Sequence, residues 1–154
     1  MACNNYKNRN HKSAVQFLNT IDQDITATDI VTNPVYIELG DVITDTGIAF
    51  DLLTRSIRVN ANGLYRFSAI LNIVGGTAGF VTVAMTLDGI PLQETIKTVD
   101  IGAATTEIAV PLETVRRLNT CSALSEHLIG IVVYSDGTAV GTVDNVSGNA
   151  IKLA

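Results

Sequence analysis

The sequence predicts an all-β domain, folded as a sandwich or a barrel. Three observations carry this expectation. From Ser13 onward, short alternating runs recur with turn residues between them, at intervals of about 8–12 residues. β-branched residues dominate those runs, as half-buried pleated surfaces prefer. Helical periodicity is weak, and only "PLETVRRL" (Pro111–Leu118) could make a turn of helix. The expected count is about eight to ten strands.

The elements follow in chain order. "AVQFLNTI" (Ala14–Ile21) is the first run and "DITATDIV" (Asp24–Val31) the second. "NPVYIELGDVI" (Asn33–Ile43) starts at a proline and carries Val35, Ile37 and Leu39 in period two. "GIAFDLLTRSIRVN" (Gly47–Asn60) holds two short strands around Thr54–Ser56. Asn62-Gly63 then breaks the chain before "LYRFSAILNI", and "GGTAG" (Gly75–Gly79) reads as a tight connection to the next strand. "FVTVAMTLDGIPLQET" (Phe80–Thr95) has Asp88-Gly89 at its middle, a strong short-range hairpin signal. In "IKTVDIGAATTEIAVPLETVRRLN" (Ile96–Asn119), Pro111 points to an edge strand or a strand end. "EHLIGIVVYSDG" (Glu126–Gly137) is a long apolar strand. The last segment, Ala139–Ala154, contains a further turn at Ser147–Asn149.

Composition limits the function. The 154 residues fit one domain, and 47% of them are apolar against 16% charged. A chain this poor in charge can build a sizeable core, and part of its surface is expected to be covered by another copy of itself. Net charge is −5, which argues against nucleic acid, whose phosphates require clustered Lys and Arg. The charge is divided unevenly. Residues 1–12 carry Lys7, Arg9 and Lys12 and no acid, whereas the seven basic and fifteen acidic residues that follow leave −8. The division is therefore a basic arm (1–12) ahead of an acidic domain (13–154). No apolar run is long enough to span a membrane, so no membrane insertion is expected, and the N-terminus has no apolar signal region. Cys3 and Cys121 make neither a disulfide framework nor a metal site. They are two free thiols, or one bridge that ties down the arm or links neighbouring chains.

Several motifs together resemble a known family. A strand entered through Gly63-x-Tyr65-x-Phe67, with Asn-Gly before it and the Asp88-Gly89 hairpin after it, is similar to the central signature of the C1q/TNF-like jelly rolls. "HLIGIVVYS" resembles that family's penultimate strand and "VSGNAIKLA" its closing strand. "NPVYIELGDVITDTGIAFDLLTRSIRVNANGLY" resembles the early strands of short bacterial and phage members. The resemblance spans residues 14–154. The chain departs from the family in having no Trp, only 5% aromatic residues and no collagen-like stalk. Its pattern is most similar to small virion proteins of tailed phages and to short C1q-like proteins of Gram-positive bacteria. The resemblance implies an antiparallel two-sheet jelly-roll sandwich, a homotrimer, and a binding or structural module with no enzymatic activity.

A search for chemistry supports that last implication. There is no nucleophile elbow, zinc-protease motif, phosphate loop or dinucleotide fingerprint. His11 lies in the arm, and His127 stands beside Glu126 with no nucleophile next to it in sequence. "DQDITATD" (Asp22–Asp29) lacks the central Gly and closing Glu of a calcium loop. No cofactor is expected, with weak Ca²⁺ binding as the one alternative, since some family members bind it near the trimer apex. Arg116-Arg117 is the only basic pair of the body. It is either a solvated strand end or an anion contact. Tyr36 and Tyr134 are aromatic candidates for a ligand face.

The expected function is a phage virion protein of the capsid surface, head fibre or tail. The arm, through Tyr6, Lys7, Arg9 and Lys12, anchors it to a capsid or fibre-base protein. The strands bearing Tyr65, Phe67, Ile131 and Val133 supply the core and the trimer. Loops around Asp88, Arg116, Arg117 and Tyr134 are candidates for binding a host-surface glycan. The alternative is a bacterial C1q-like protein, secreted or on the spore surface, that binds a soluble ligand.

Overall fold

A computed structural model describes residues 12–47, 49–102, 107–119 and 126–154. Among them the chain forms thirteen strands: β1 (Ala14–Asn19), β2 (Gln23–Ile25), β3 (Val35–Tyr36), β4 (Asp41–Thr46), β5 (Phe50–Leu52), β6 (Ser56–Val59), β7 (Gly63–Thr77), β8 (Phe80–Leu87), β9 (Ile90–Pro91), β10 (Lys97–Asp100), β11 (Glu107–Leu118), β12 (His127–Ser135) and β13 (Val140–Lys152). The count exceeds eight to ten because β2, β3, β5 and β9 are pairings of only two or three residues.

All strand pairs are antiparallel and fall into two sheets. The first runs β11-β7-β13-β1-β4, with β2 on β13, and the second runs β10-β8-β12-β6-β5, with β3 on β12 and β9 on β8. The two sheets stack as a sandwich. The inward residues alternate along each strand, as the pleat requires. Val15 and Phe17 of β1, Tyr65 to Ile73 at every second position of β7, and Val146 and Ala150 of β13 face Ile57, Val59, Val83, Met85, Ile131 and Val133 of the second sheet. Phe50 meets Tyr65 edge-on at 5.4 Å, and Tyr65 stacks on Phe67 at 6.0 Å. The Tyr65 hydroxyl donates to the Ala61 carbonyl, which satisfies the one polar atom that the ring brings into the core. Burial pushes its pKa up to about 12.

Asp88-Gly89 makes the expected hairpin. Both residues have positive φ, 52° and 82°, and they join Leu87 directly to its partner Ile90. This is the backbone of a two-residue turn that follows the strand twist. Pro111 lies on β11, an edge strand, where a missing N–H costs no ladder bond on the open side.

Four expectations need correction. "PLETVRRL" is strand throughout, because alternate residues Leu112, Thr114 and Leu118 are buried against the second sheet. The connection at "GGTAG" is shorter than read, since Gly75 and Gly76 belong to β7. No turn occurs at Ser147–Asn149. These residues pair with Ile70, Ala69 and Ser68 on one side and with Leu18, Phe17 and Gln16 on the other. Gly148 is needed there for close packing, as a Cβ would stand 2.4 Å from the Ser68 carbonyl and 2.5 Å from the Phe17 ring. Finally, "DITATDIV" is strand only at its start. The Asp29 carboxylate accepts from the Thr26 N–H and hydroxyl at 2.6 and 2.8 Å and folds the remainder into a turn.

Candidate functional site

The outer face of the first sheet is an open surface. Alternation sends Arg66, Ser68, Ile70 and Asn72 of β7 outward, opposite Val115, Glu113, Pro111 and Ala109 of β11. On the other side of β7, the same residues meet Ile151, Asn149 and Ser147 of β13, which in turn adjoin Ala14, Gln16 and Leu18 of β1. The result is a set of rows five strands wide. The row through Pro111, Ile70, Ser147 and Leu18 is mostly apolar, and Ile70 is 47% exposed. The row through Glu113, Ser68, Asn149 and Gln16 is polar. There the Ser68 hydroxyl donates to Asn149 Oδ1 at 3.0 Å, and the Thr44 hydroxyl donates to Gln16 Oε1 at 2.9 Å. Small residues at Ser68, Ser147 and Gly148 leave a groove of about 500 Å³ across this face, walled by Gln16, Ile43, Ile70, Pro111 and Glu113.

Tyr65, Phe67, Ile131 and Val133 are buried between the sheets and fill the core of a single subunit. Their outward neighbours on β7 are the residues of the open face. The second sheet differs. Its central outward residues Thr82, Ala84, Thr86 and Val132 are also buried, although they point away from the core, while Phe80 at the end of the same row is exposed. Tyr134 is half-buried on that face, and Tyr36 is paired opposite Val132, its hydroxyl 3.9 Å from where a Cβ on Gly89 would stand.

Arg116 and Arg117 do not form a patch, because successive strand residues point to opposite faces. Arg116 bonds Glu94, whose carboxylate also accepts from the Thr114 hydroxyl at 2.8 Å. Hydrogen bonding from its own backbone and from Thr114, with Arg116 beside it, holds Glu94 below the usual carboxylate range. Arg117 faces outward on the first sheet, next to Leu64. Of the arm, Tyr6, Lys7, Arg9, His11 and Cys3 lie outside the described residues, as does Cys121. Lys12 is exposed, and the buried Ser13 that follows accepts the Lys152 N–H at 2.9 Å.

Asp88 turns inward upon the chain. Its carboxylate accepts from the Leu128 N–H at 2.8 Å and contacts His127 Nδ1 at 2.8 Å, while His127 Nε2 lies 3.2 Å from the Asn119 carbonyl. Both ring nitrogens thus face acceptors, an arrangement that suits the imidazolium. Burial pulls the His127 pKa down, but the hydrogen bonds to Asp88 and Asn119 and the Asp88 charge outweigh it and hold it above the ordinary value. Glu126, the neighbour in sequence, instead pairs with Arg58 at 3.5 Å, and Arg58 also holds Asp51 at 3.1 Å. Asp88 and His127 are 39 residues apart, and no local motif could have joined them.

At the opposite end of the sandwich, Asp136 closes the turn between β12 and β13. Hydrogen bonds from the Thr138 hydroxyl and from the N–H groups of Phe80, Ala139 and Thr138 hold it well below the usual carboxylate range. Among the described residues, no group of three or more His, Cys, Asp or Glu side chains could hold a metal ion. Nor is any helix long and apolar enough to cross a membrane.

No family model and no curated protein sequence matches the chain. Solved structures do match over 92% of it. The globular domain of zebrafish complement 1qA protein is 10% identical with a TM-score of 0.55, and 98% of that chain is covered. The PRD1 vertex protein P5 is 13% identical with a TM-score of 0.60 over 73% of that chain. Murine APRIL is 10% identical with a TM-score of 0.61 over 99% of that chain. The fold is the C1q/TNF-like jelly roll, as expected.

Proposed function

We propose that this C1q/TNF-like jelly roll is a non-enzymatic structural or attachment protein of a phage virion, assembled as a closed homotrimer. The observation that supports this reading most is the open face of the first sheet. It combines exposed Ile70, Val115 and Leu18 with uncharged amides and a groove, a mixture suited to a second protein surface. Heterologous contact between this face and the side of the next copy closes a ring of three. The sharing of this fold by a vertex protein, P5 of PRD1, supports a place on a particle. In this reading residues 1–12 anchor the trimer to an acidic shell or fibre base, and the loops at the far end face outward to engage a host-surface glycan. Three weak sites on each trimer, repeated over a particle, give firm attachment without any tight single contact.

The test is the solution mass by light scattering, for the full chain and for a chain lacking residues 1–12. Three times the chain mass in both, which is 16.3 kDa for the full chain and correspondingly less for the shortened one, supports the ring and leaves the arm free for anchoring. A monomer in both rejects the assembly and with it the avidity mechanism.

A further inference from the structure

We infer that Arg66 is an inter-subunit anchor, whose partner is the Glu113 carboxylate of a second copy of this chain. The inference rests on the proposed ring and names the polar contact that would set its register.

Arg66 stands on the open face between Val115 on one side and Ile151 on the other. Its Nε is buried and makes no hydrogen bond, and the guanidinium makes no ion pair among the described residues. The residues outside the description cannot supply one, because all fifteen acids of the sequence are among those described. The other arginines of the body have an acid or are exposed: Arg55 pairs with Glu38, Arg58 with Asp51 and Glu126, and Arg116, whose Nε is likewise buried and unbonded, with Glu94, while the equally unpaired Arg117 is exposed. A half-buried guanidinium with an orphaned donor is costly unless something reaches it from outside.

Glu113 has the complementary defect. It lies on the same outward row of the edge strand β11, is exposed, and forms no ion pair. In register it stands opposite Ser68, one outward step along the face from Arg66, whose own level on β11 is Val115, so the contact requires a neighbour's β11 to pack on this face offset by that one step. A planar fork meeting a carboxylate gives direction as well as attraction. Bounded by Val115 and Ile151, the pair would be shielded from solvent once the ring closes.

The experiment measures oligomer mass against concentration by analytical ultracentrifugation for wild type, R66E, E113R and the double variant R66E/E113R, with R66Q and E113Q as milder changes. Circular dichroism checks that each variant folds. The expected result is a trimer for wild type, a dissociation constant raised at least about tenfold for each single variant, and recovery in the double variant. A trimer unaffected by either single charge reversal overturns the Arg66–Glu113 contact and leaves the ring standing. Single variants that dissociate without recovery in the double place Arg66 opposite another group and also overturn the pairing. A monomeric wild type rejects the ring itself.

Discussion

The two outer faces of this sandwich are built from the same strand geometry and end in opposite states. On the second sheet, the outward row through Thr86, Ala84 and Thr82 is made of small side chains that are already buried, with Ala84 fully so. The Thr82 hydroxyl lies 2.8 Å from that of Thr98 on the neighbouring strand, and Tyr36 is registered beside Val132. On the first sheet, the corresponding rows carry Ile70, Val115 and Leu18 in the open and an arginine with an unused donor. The middle of one face is covered within the chain, although Phe80 and Tyr36 at its margins are exposed, and the other has the features of a surface awaiting a partner. Burial of an outward residue, more than its hydrophobicity, separates them. Isolated exposed apolar side chains are ordinary, whereas several of them on one face beside an orphaned guanidinium are not.

The sharpest way to break this comparison is to place the same charge on each face. Ala84→Arg inserts a long cation where there is neither space nor solvent. It should lower folding stability by about 3–5 kcal/mol or prevent folding, as urea unfolding would show. Ile70→Arg should leave the subunit fold within about 0.5 kcal/mol, because the site is exposed, yet abolish the proposed trimer in light scattering. Equal loss of stability from both substitutions would erase the distinction between the faces. A smaller effect is expected from Tyr36→Ala. Removing that ring from the completed face should cost about 1–2 kcal/mol and leave the oligomer mass unchanged. A change in mass would show that this face, too, takes part in assembly.

The smallest effect concerns the Asp88–His127 contact that holds the β8–β9 turn against β12. The folded pKa of His127 is raised, so the stabilisation is complete below the unfolded value of about 6.5 and is lost as pH rises through the folded pKa. Asp88→Asn removes it. The stability gap between wild type and this variant should narrow as pH is raised from about 6 to about 8, measured by thermal unfolding. A gap independent of pH would mean that Asp88 acts only through its bond to the Leu128 N–H.

Much of the fold was legible in the residues. Period two in "LYRFSAILNI" put Tyr65, Phe67, Ala69, Leu71 and Ile73 on one face, and all five are buried. Asp88-Gly89 specified its turn because few dipeptides tolerate two positive φ values. Two of the misreadings share one cause. Ser147–Asn149 and Gly75-Gly76 look like turns locally, but each lies in a strand where the small residue answers a neighbouring backbone or ring. The site was less legible still. Arg116 and Arg117 are adjacent in sequence and diverge in space, and Glu126 beside His127 gives way to Asp88, brought in from another hairpin.

By itself, then, the sequence determined the strands, their inward faces and the absence of local catalytic motifs, because period-two burial and turn chemistry act over a few neighbouring residues. Only the tertiary structure decided which outward face is left open, which arginines lack an acid and which carboxylate holds the histidine. Those outcomes depend on sheet order and register, and the pairings that set them join residues far apart along the chain.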